Sequence, residues 1–185
     1  MRKLLIPTLA VSSLLFTTSA IAKSPMDYSY AGVQYFDQRL DDADCSQDGF
    51  NLYGSLEINA DLFAIGSLSD ANGNRNCGSE TMSVGIGYHT LFGADGSVYG
   101  TFSVENTDVD VGESDSGFVG AIGIRGFIAR QLEAKIEAAH HTAFDGNTVV
   151  NAGVAYWFNQ QFAVTGDASL GTDASTAAIG LRMNF

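Results

Sequence analysis

The sequence predicts an all-β fold, a ten-stranded antiparallel transmembrane β-barrel, and three observations predict it. Apolar residues alternate with small or polar ones along nearly the whole chain, the alternating segments are about ten residues long, and long and short connections take turns between them. Alternation of period two sends successive side chains to opposite faces of a strand, so each segment carries one apolar and one mixed face. A length of ~10 residues matches the ~9–11 that a tilted strand needs to cross a bilayer and exceeds the ~5–6 of a typical soluble sheet. Eight strands are the alternative count. Beyond residue 22 no apolar run is long enough to span a membrane as a helix.

Residues 1–22 stand apart from the fold. Arg2 and Lys3 give a cationic start, Leu4 to Phe16 an apolar stretch interrupted by Pro7, and Thr17 to Ala22 a small-residue tail ending Ala20-Ile21-Ala22. This is the pattern of a cleavable export signal, with the cut after Ala22. The apolar run falls short of the ~20 residues of a spanning helix, which weighs against a membrane anchor. No Cys stands at the cut, which argues against a lipid anchor. Cleavage removes two cations and leaves one domain, residues 23–185, with 163 residues and a formal charge of −14. With 21 acidic and 9 basic residues in the full chain, a nucleic-acid backbone would be repelled.

Turn signals place the strands at about 28–38, 50–58, 62–69, 81–90, 97–107, 117–127, 132–142, 148–158, 162–170 and 175–185. In the first, Tyr28, Tyr30 and Phe36 alternate against Val33 and Tyr35, so its lipid-facing side is left open. The fourth sets Met82, Val84, Ile86 and Tyr88 against Ser83, Gly85, Gly87 and His89, and the sixth sets Phe118, Gly120, Ile122 and Ile124 against Val119, Ala121, Gly123 and Arg125. In the seventh, Leu132, Ala134, Ile136 and Ala138 point one way and Glu133, Lys135 and Glu137 the other. The connections 39–49, 70–80 and 108–116 are longer than 59–61, 91–96, 128–131 and 159–161. Long external loops, short periplasmic turns and an even strand number are the habit of outer-membrane barrels.

Charge and aromatic placement test the assignment. Glu57, Glu105, Arg125, Glu133, Lys135, Glu137, Asp167 and Arg182 all fall opposite the stronger apolar series of their strands, as lumen-facing charges would. Six of them, Glu57, Arg125, Glu133, Lys135, Glu137 and Arg182, fall in the periplasmic half and are expected to form one neutral network that plugs the barrel. Glu105 and Asp167 lie farther out, with no strand cation beside them in the predicted register. Tyr28, Tyr30, Phe63, Tyr88, Phe92, Tyr99, Phe127, Tyr156, Trp157, Phe158, Phe162 and Phe185 map near the periplasmic ends, and Phe36, Phe50, Phe118 and Phe144 near the outer ends, as two girdles.

The last strand, Ala177, Ile179, Leu181, Met183, Phe185, ends on an aromatic residue after an alternating apolar series. It resembles the C-terminal signal, here Leu181, Met183 and Phe185, by which the barrel assembly machinery recognises its substrates. Together with Leu62-Phe63-Ala64-Ile65-Gly66-Ser67-Leu68-Ser69-Asp70 and Ser83-Val84-Gly85-Ile86-Gly87-Tyr88-His89, it makes the whole mature chain similar to the small exported outer-membrane β-barrel proteins of Gram-negative bacteria, a porin-like, OmpA/OmpX-type group in a ten-strand variant. The resemblance implies fold and location, and carries over no catalytic residue.

Cys45 and Cys77 lie in the first two long connections, neighbours on one side of the barrel, and an oxidising export route makes a disulfide the natural reading against two free thiols. His140 and His141, near Asp145, are candidates for hydrolytic chemistry, but adjacent strand residues face opposite ways, His140 to lipid headgroups and His141 to the mouth. The acids Asp41, Asp42, Asp44 and Asp48, and Asp108, Asp110, Glu113 and Asp115, lack the twelfth-position Glu or the Gly phase of a calcium loop. They read as solvated carboxylates, with loose divalent binding and bridging to lipopolysaccharide as the alternative. No cofactor, metal or enzymatic role is expected. The expected function is structural or surface-interacting, by a monomer in outer-membrane lipid, with a narrow cation-preferring pore as the alternative and an outer-membrane hydrolase as a remote one.

Overall fold

The computed structural model describes residues 26–40, 45–74, 77–93, 95–110, 112–172 and 174–185. The expected export signal and Asp41, Asp42 and Asp44 lie outside these residues. Ten strands follow in chain order: β1 (Tyr30–Leu40), β2 (Cys45–Glu57), β3 (Leu62–Gly73), β4 (Ser79–Phe92), β5 (Gly96–Val109), β6 (Asp115–Ala129), β7 (Leu132–His141), β8 (Asn147–Trp157), β9 (Phe162–Gly171) and β10 (Ala174–Asn184). Each pairs antiparallel with its sequence neighbour, and β1 closes on β10 from Tyr30↔Asn184 to Leu40↔Ala174. The result is a closed ten-stranded antiparallel barrel with no free strand edge, and the eight-strand count is set aside.

One end, the turn end, carries the connections 58–61, 93–95, 130–131 and 158–161 together with Tyr30 and Asn184; the other is the loop end. Two turns share one construction. Asn59 accepts from the backbone N–H groups of Asp61 and Leu62, and Asn159 from those of Gln161 and Phe162. At the loop end β2 starts five residues before its predicted position, so Cys45 opens a strand, and β3, β4, β5 and β6 also run farther than expected. Apolar alternation ends before the strands do, because a ladder needs only backbone N–H and C=O groups, and polar residues such as Gln47, Asp70 and Asp108 supply these equally well.

The alternation is realised as outside and inside. Leu52, Val84, Ile86, Phe102, Ile122, Ile136, Leu181 and their neighbours stand exposed around the barrel. Val33 and Tyr35 join them, which settles the face of the first strand and turns Phe36 inward. The aromatic girdle is corrected. Tyr88, Phe92, Tyr156, Phe158, Phe162 and Phe185 do face out at the turn end, but Tyr28, Phe63, Tyr99 and Trp157 are buried inside the barrel, and Phe127 packs against the Trp157 cluster. Tyr28 precedes β1 altogether.

Room for these rings comes from glycine directly across the ladder. Tyr53 pairs with Gly32, Phe63 with Gly87 and Tyr99 with Gly123, and a Cβ on any of the three glycines would strike the ring opposite. A narrow barrel can seat bulky inward side chains only where the neighbouring strand presents none.

Candidate functional site

The lumen gathers the charged residues, and its two levels differ. At the turn end lies a floor. Glu133 is 4% exposed, and its Oε1 meets Arg125 Nε at 3.0 Å and Arg182 Nη1 at 3.1 Å, while its Oε2 accepts from Trp157 Nε1 at 3.2 Å. The guanidiniums are covered by rings: Arg125 lies 4.6 Å from the centroid of Tyr28, and Arg182 lies 4.2 Å from Tyr30 and 4.9 Å from Trp157. Tyr28 completes the floor. It hydrogen-bonds Ser97 Oγ at 2.6 Å, stacks on His89 with centroids 4.0 Å apart, and packs against Phe63 at 4.5 Å.

Above the floor is a chamber of about 460 Å³, so side chains do not fill the lumen as expected. Its β1–β5 wall is mostly neutral and polar, with Gln34, Asn51, Ser67, Ser83 and Ser103, and its opposite wall carries Lys135, Glu137 and Asp167. Lys135 Nζ lies 3.2 Å from Asp167 Oδ1; Glu137 accepts from Tyr99 O–H at 2.7 Å and Asn151 Nδ2 at 3.2 Å.

The six-residue network expected from the sequence is therefore divided. Arg125, Glu133 and Arg182 form a buried triad, Lys135 turns to Asp167, which was expected to lack a cation, and Glu137 is held by neutral donors. Glu57 sits at the rim of the turn end, 37% exposed, with His89 Nε2 3.7 Å from its Oε1. Barrel stagger is the physical reason: residues at equal sequence depth on different strands do not lie at equal height. Glu105 likewise has a partner, His141 Nδ1 at 3.0 Å, whereas His140 faces outward and meets Thr148 Oγ1 at 2.9 Å, the opposite orientations expected of adjacent residues.

Cys45 and Cys77 are joined by a disulfide that ties the start of β2 to the connection before β4, with Cα atoms 6.7 Å apart. Leu181, Met183 and Phe185 face outward in a row, and the N–H of Phe185 donates to Ser29 O at 3.2 Å. Among the described residues no three His, Cys, Asp or Glu side chains come together as a metal site would need. Asp115 instead accepts from the N–H groups of Ser116 and Phe144, where the chain turns through positive φ at Phe144 and Asp145.

The floor rings were missed from sequence, although parity held the clue. Tyr99 is six residues from Glu105 and Phe127 two from Arg125, so each shares a face with an inward charge.

No protein-family model matches the chain, and no curated protein matches it. Solved structures do. An outer-membrane channel from Pseudomonas putida F1 superposes with a TM-score of 0.56 at 10% identity, over 87% of this chain and 96% of its own. The β domain of the Bordetella autotransporter BrkA gives 0.56 at 10% identity, over 86% and 100%. The KdgM porin gives 0.51 at 13% identity, over 83% and 99%. The chain shares the fold of outer-membrane β-barrels, porins and channels among them.

Proposed function

We propose that the protein is an exported bacterial outer-membrane barrel of porin-like, OmpA/OmpX-type character, closed in its resting state and serving a structural or surface-interaction role. One observation carries this reading: a closed ladder wears a belt of exposed apolar side chains while its paired charges lie inside. Each such Leu, Ile or Phe gains roughly 1.5–3 kcal/mol on leaving water, a gain available to this surface only in lipid. Export requires the signal at residues 1–22 to be removed after Ala22; lipopolysaccharide and the barrel assembly machinery are the partners, the latter reading Leu181, Met183 and Phe185. A monomer suffices, since no strand edge is left to pair. No enzymatic role is proposed.

A narrow cation-preferring leak is the second reading, supported by the chamber and by acids of the connection after β5 at the loop end, such as Asp110 and Glu113. The test is refolding into lipid bilayers with single-channel recording, beside electrophoresis of boiled and unboiled protein and membrane fractionation. The closed-barrel reading expects a heat-dependent gel shift, outer-membrane recovery and no steady open level. A large anion-selective pore would refute it, and recovery in the soluble periplasmic fraction would refute the location.

A further inference from the structure

We propose that Met26–Tyr28 is a removable stopper hinged at Ser29, and that its withdrawal converts the chamber into a through-path; this rests on the membrane-barrel reading above. The strand ladder begins at Tyr30, so among the described side chains named in the floor Tyr28 alone belongs to backbone outside it. Phe63, Tyr99, Arg125 and Trp157 can change rotamer but stay fixed at their Cα atoms by strand hydrogen bonds on both sides. Tyr28 can leave with its backbone. A segment outside the hydrogen-bonded ladder can open locally without opening the ladder itself.

The position of the ring makes its departure consequential. It bridges the lumen, with His89 of β4 stacked on it and Arg125 of β6 lying over it. It is also the part of the chamber's lining that the N-terminal segment supplies from below. Ring contacts, the Ser97 hydrogen bond and a bond from Arg125 Nη2 to Asp27 O at 3.2 Å help to hold it, and Met26 and Asp27 are themselves buried. To Tyr28 His89 offers its ring face, its Nε2 lying toward Glu57 at 3.7 Å. Ser29, by contrast, is anchored: its O accepts from Phe185 N–H and its Oγ from Glu57 N–H at 3.2 Å. A segment anchored at Ser29 and buried over the three residues before it by packing, with no strand ladder to hold its backbone, has the construction of a hinged stopper.

The test is bilayer recording of Tyr28→Ala, Tyr28→Phe and the unaltered protein, each first shown to be folded by its heat-dependent gel shift. Tyr28→Ala is expected to show an open level that the other two lack, because the ring fills the gap whether or not it reaches Ser97. Adding 4-methylphenol, which has the shape and hydroxyl of the missing side chain, is expected to close it. A folded, bilayer-inserted Tyr28→Ala that stays silent overturns the stopper; failure of the unaltered protein to insert overturns the membrane reading instead. Should Tyr28→Ala not fold, Ser97→Cys decides in a chain that keeps its tyrosine. Ser97 is fully buried behind the ring, and the native cysteines are joined, so a small thiosulfonate reagent can reach the new thiol only when the stopper leaves. Modification of the folded barrel supports the stopper, and lasting resistance overturns it.

Discussion

At the floor of the lumen Glu133 serves two guanidiniums with all three side chains less than a tenth exposed, whereas two residues farther along β7 Lys135 meets Asp167 with 37% and 20% of those side chains open. Both pairs sit on the inner face of one strand. What separates them is the company of rings: Tyr28, Tyr30 and Trp157 cover the guanidiniums of the triad, and a cavity lies beside the lysine. Charge placement along a strand therefore fixes which way a residue points, while packing from elsewhere in the chain decides what its charge is worth.

Glu133→Ala leaves Arg125 and Arg182 buried together without their carboxylate. The expected loss is about 3–5 kcal/mol of barrel stability in detergent. Trp157 is the one tryptophan of the chain and donates to Glu133, so its emission should shift in the same variant. Arg125→Ala is expected to follow closely, with raised conductance besides, because it also frees the face of Tyr28. A loss under about 1 kcal/mol for Glu133→Ala would mean that water reaches the floor and that the two levels are one.

Reducing the Cys45–Cys77 bridge, or replacing both residues with Ser, tests whether the loop end is independent of the floor. Chain-entropy reasoning gives about 2–4 kcal/mol for such a bridge, and the barrel should persist because its ladder closes without it. The cysteines should resist alkylation until a reductant is added, and Trp157 emission should not change on reduction. A shifted emission would join the loop end to the floor.

A third contrast lies within β6. Gly123 faces the floor across from Tyr99, and Gly120 faces outward with nothing near its missing Cβ. Gly123→Ala must displace the Tyr99 ring or the Ile136 carbonyl, an overpacking cost of about 1–3 kcal/mol. Gly120→Ala should be neutral or stabilising by up to about 1 kcal/mol, through a less flexible unfolded chain. Thermal melts of the two variants check this, and equal melts would remove the role given to glycine in seating the rings.

These contrasts mark how far the sequence could be read. Ten strands and their inner and outer faces were legible because period two is a property of the backbone, visible wherever Ile86 or Glu133 stands in its row. The joining of Cys45 to Cys77 was legible because adjacent long connections share an end of the barrel. The pairing of Lys135 with Asp167, two strands away, was not, because stagger between strands has no mark in the sequence. Tyr28 was hidden for another reason: its parity matched a strand, and nothing local to it distinguishes the last residue of a ladder from a segment folded back beneath it.

The smallest expected effect tests the other side of the comparison. Lys135→Ala, Asp167→Asn and the double variant form a cycle around an ion pair that is partly open to the chamber. Gln34 Nε2 also donates to Asp167, so the carboxylate keeps a partner when the lysine is removed. The coupling between the two should be about 0.2–1 kcal/mol and should shrink further between low and high salt, since solvent in the chamber screens the pair. Melts at two ionic strengths measure both quantities. A salt-insensitive coupling of the size expected for Glu133 would show that the chamber wall is as dry as the floor, and would make the rings at the turn end irrelevant to the strength of the charges above them.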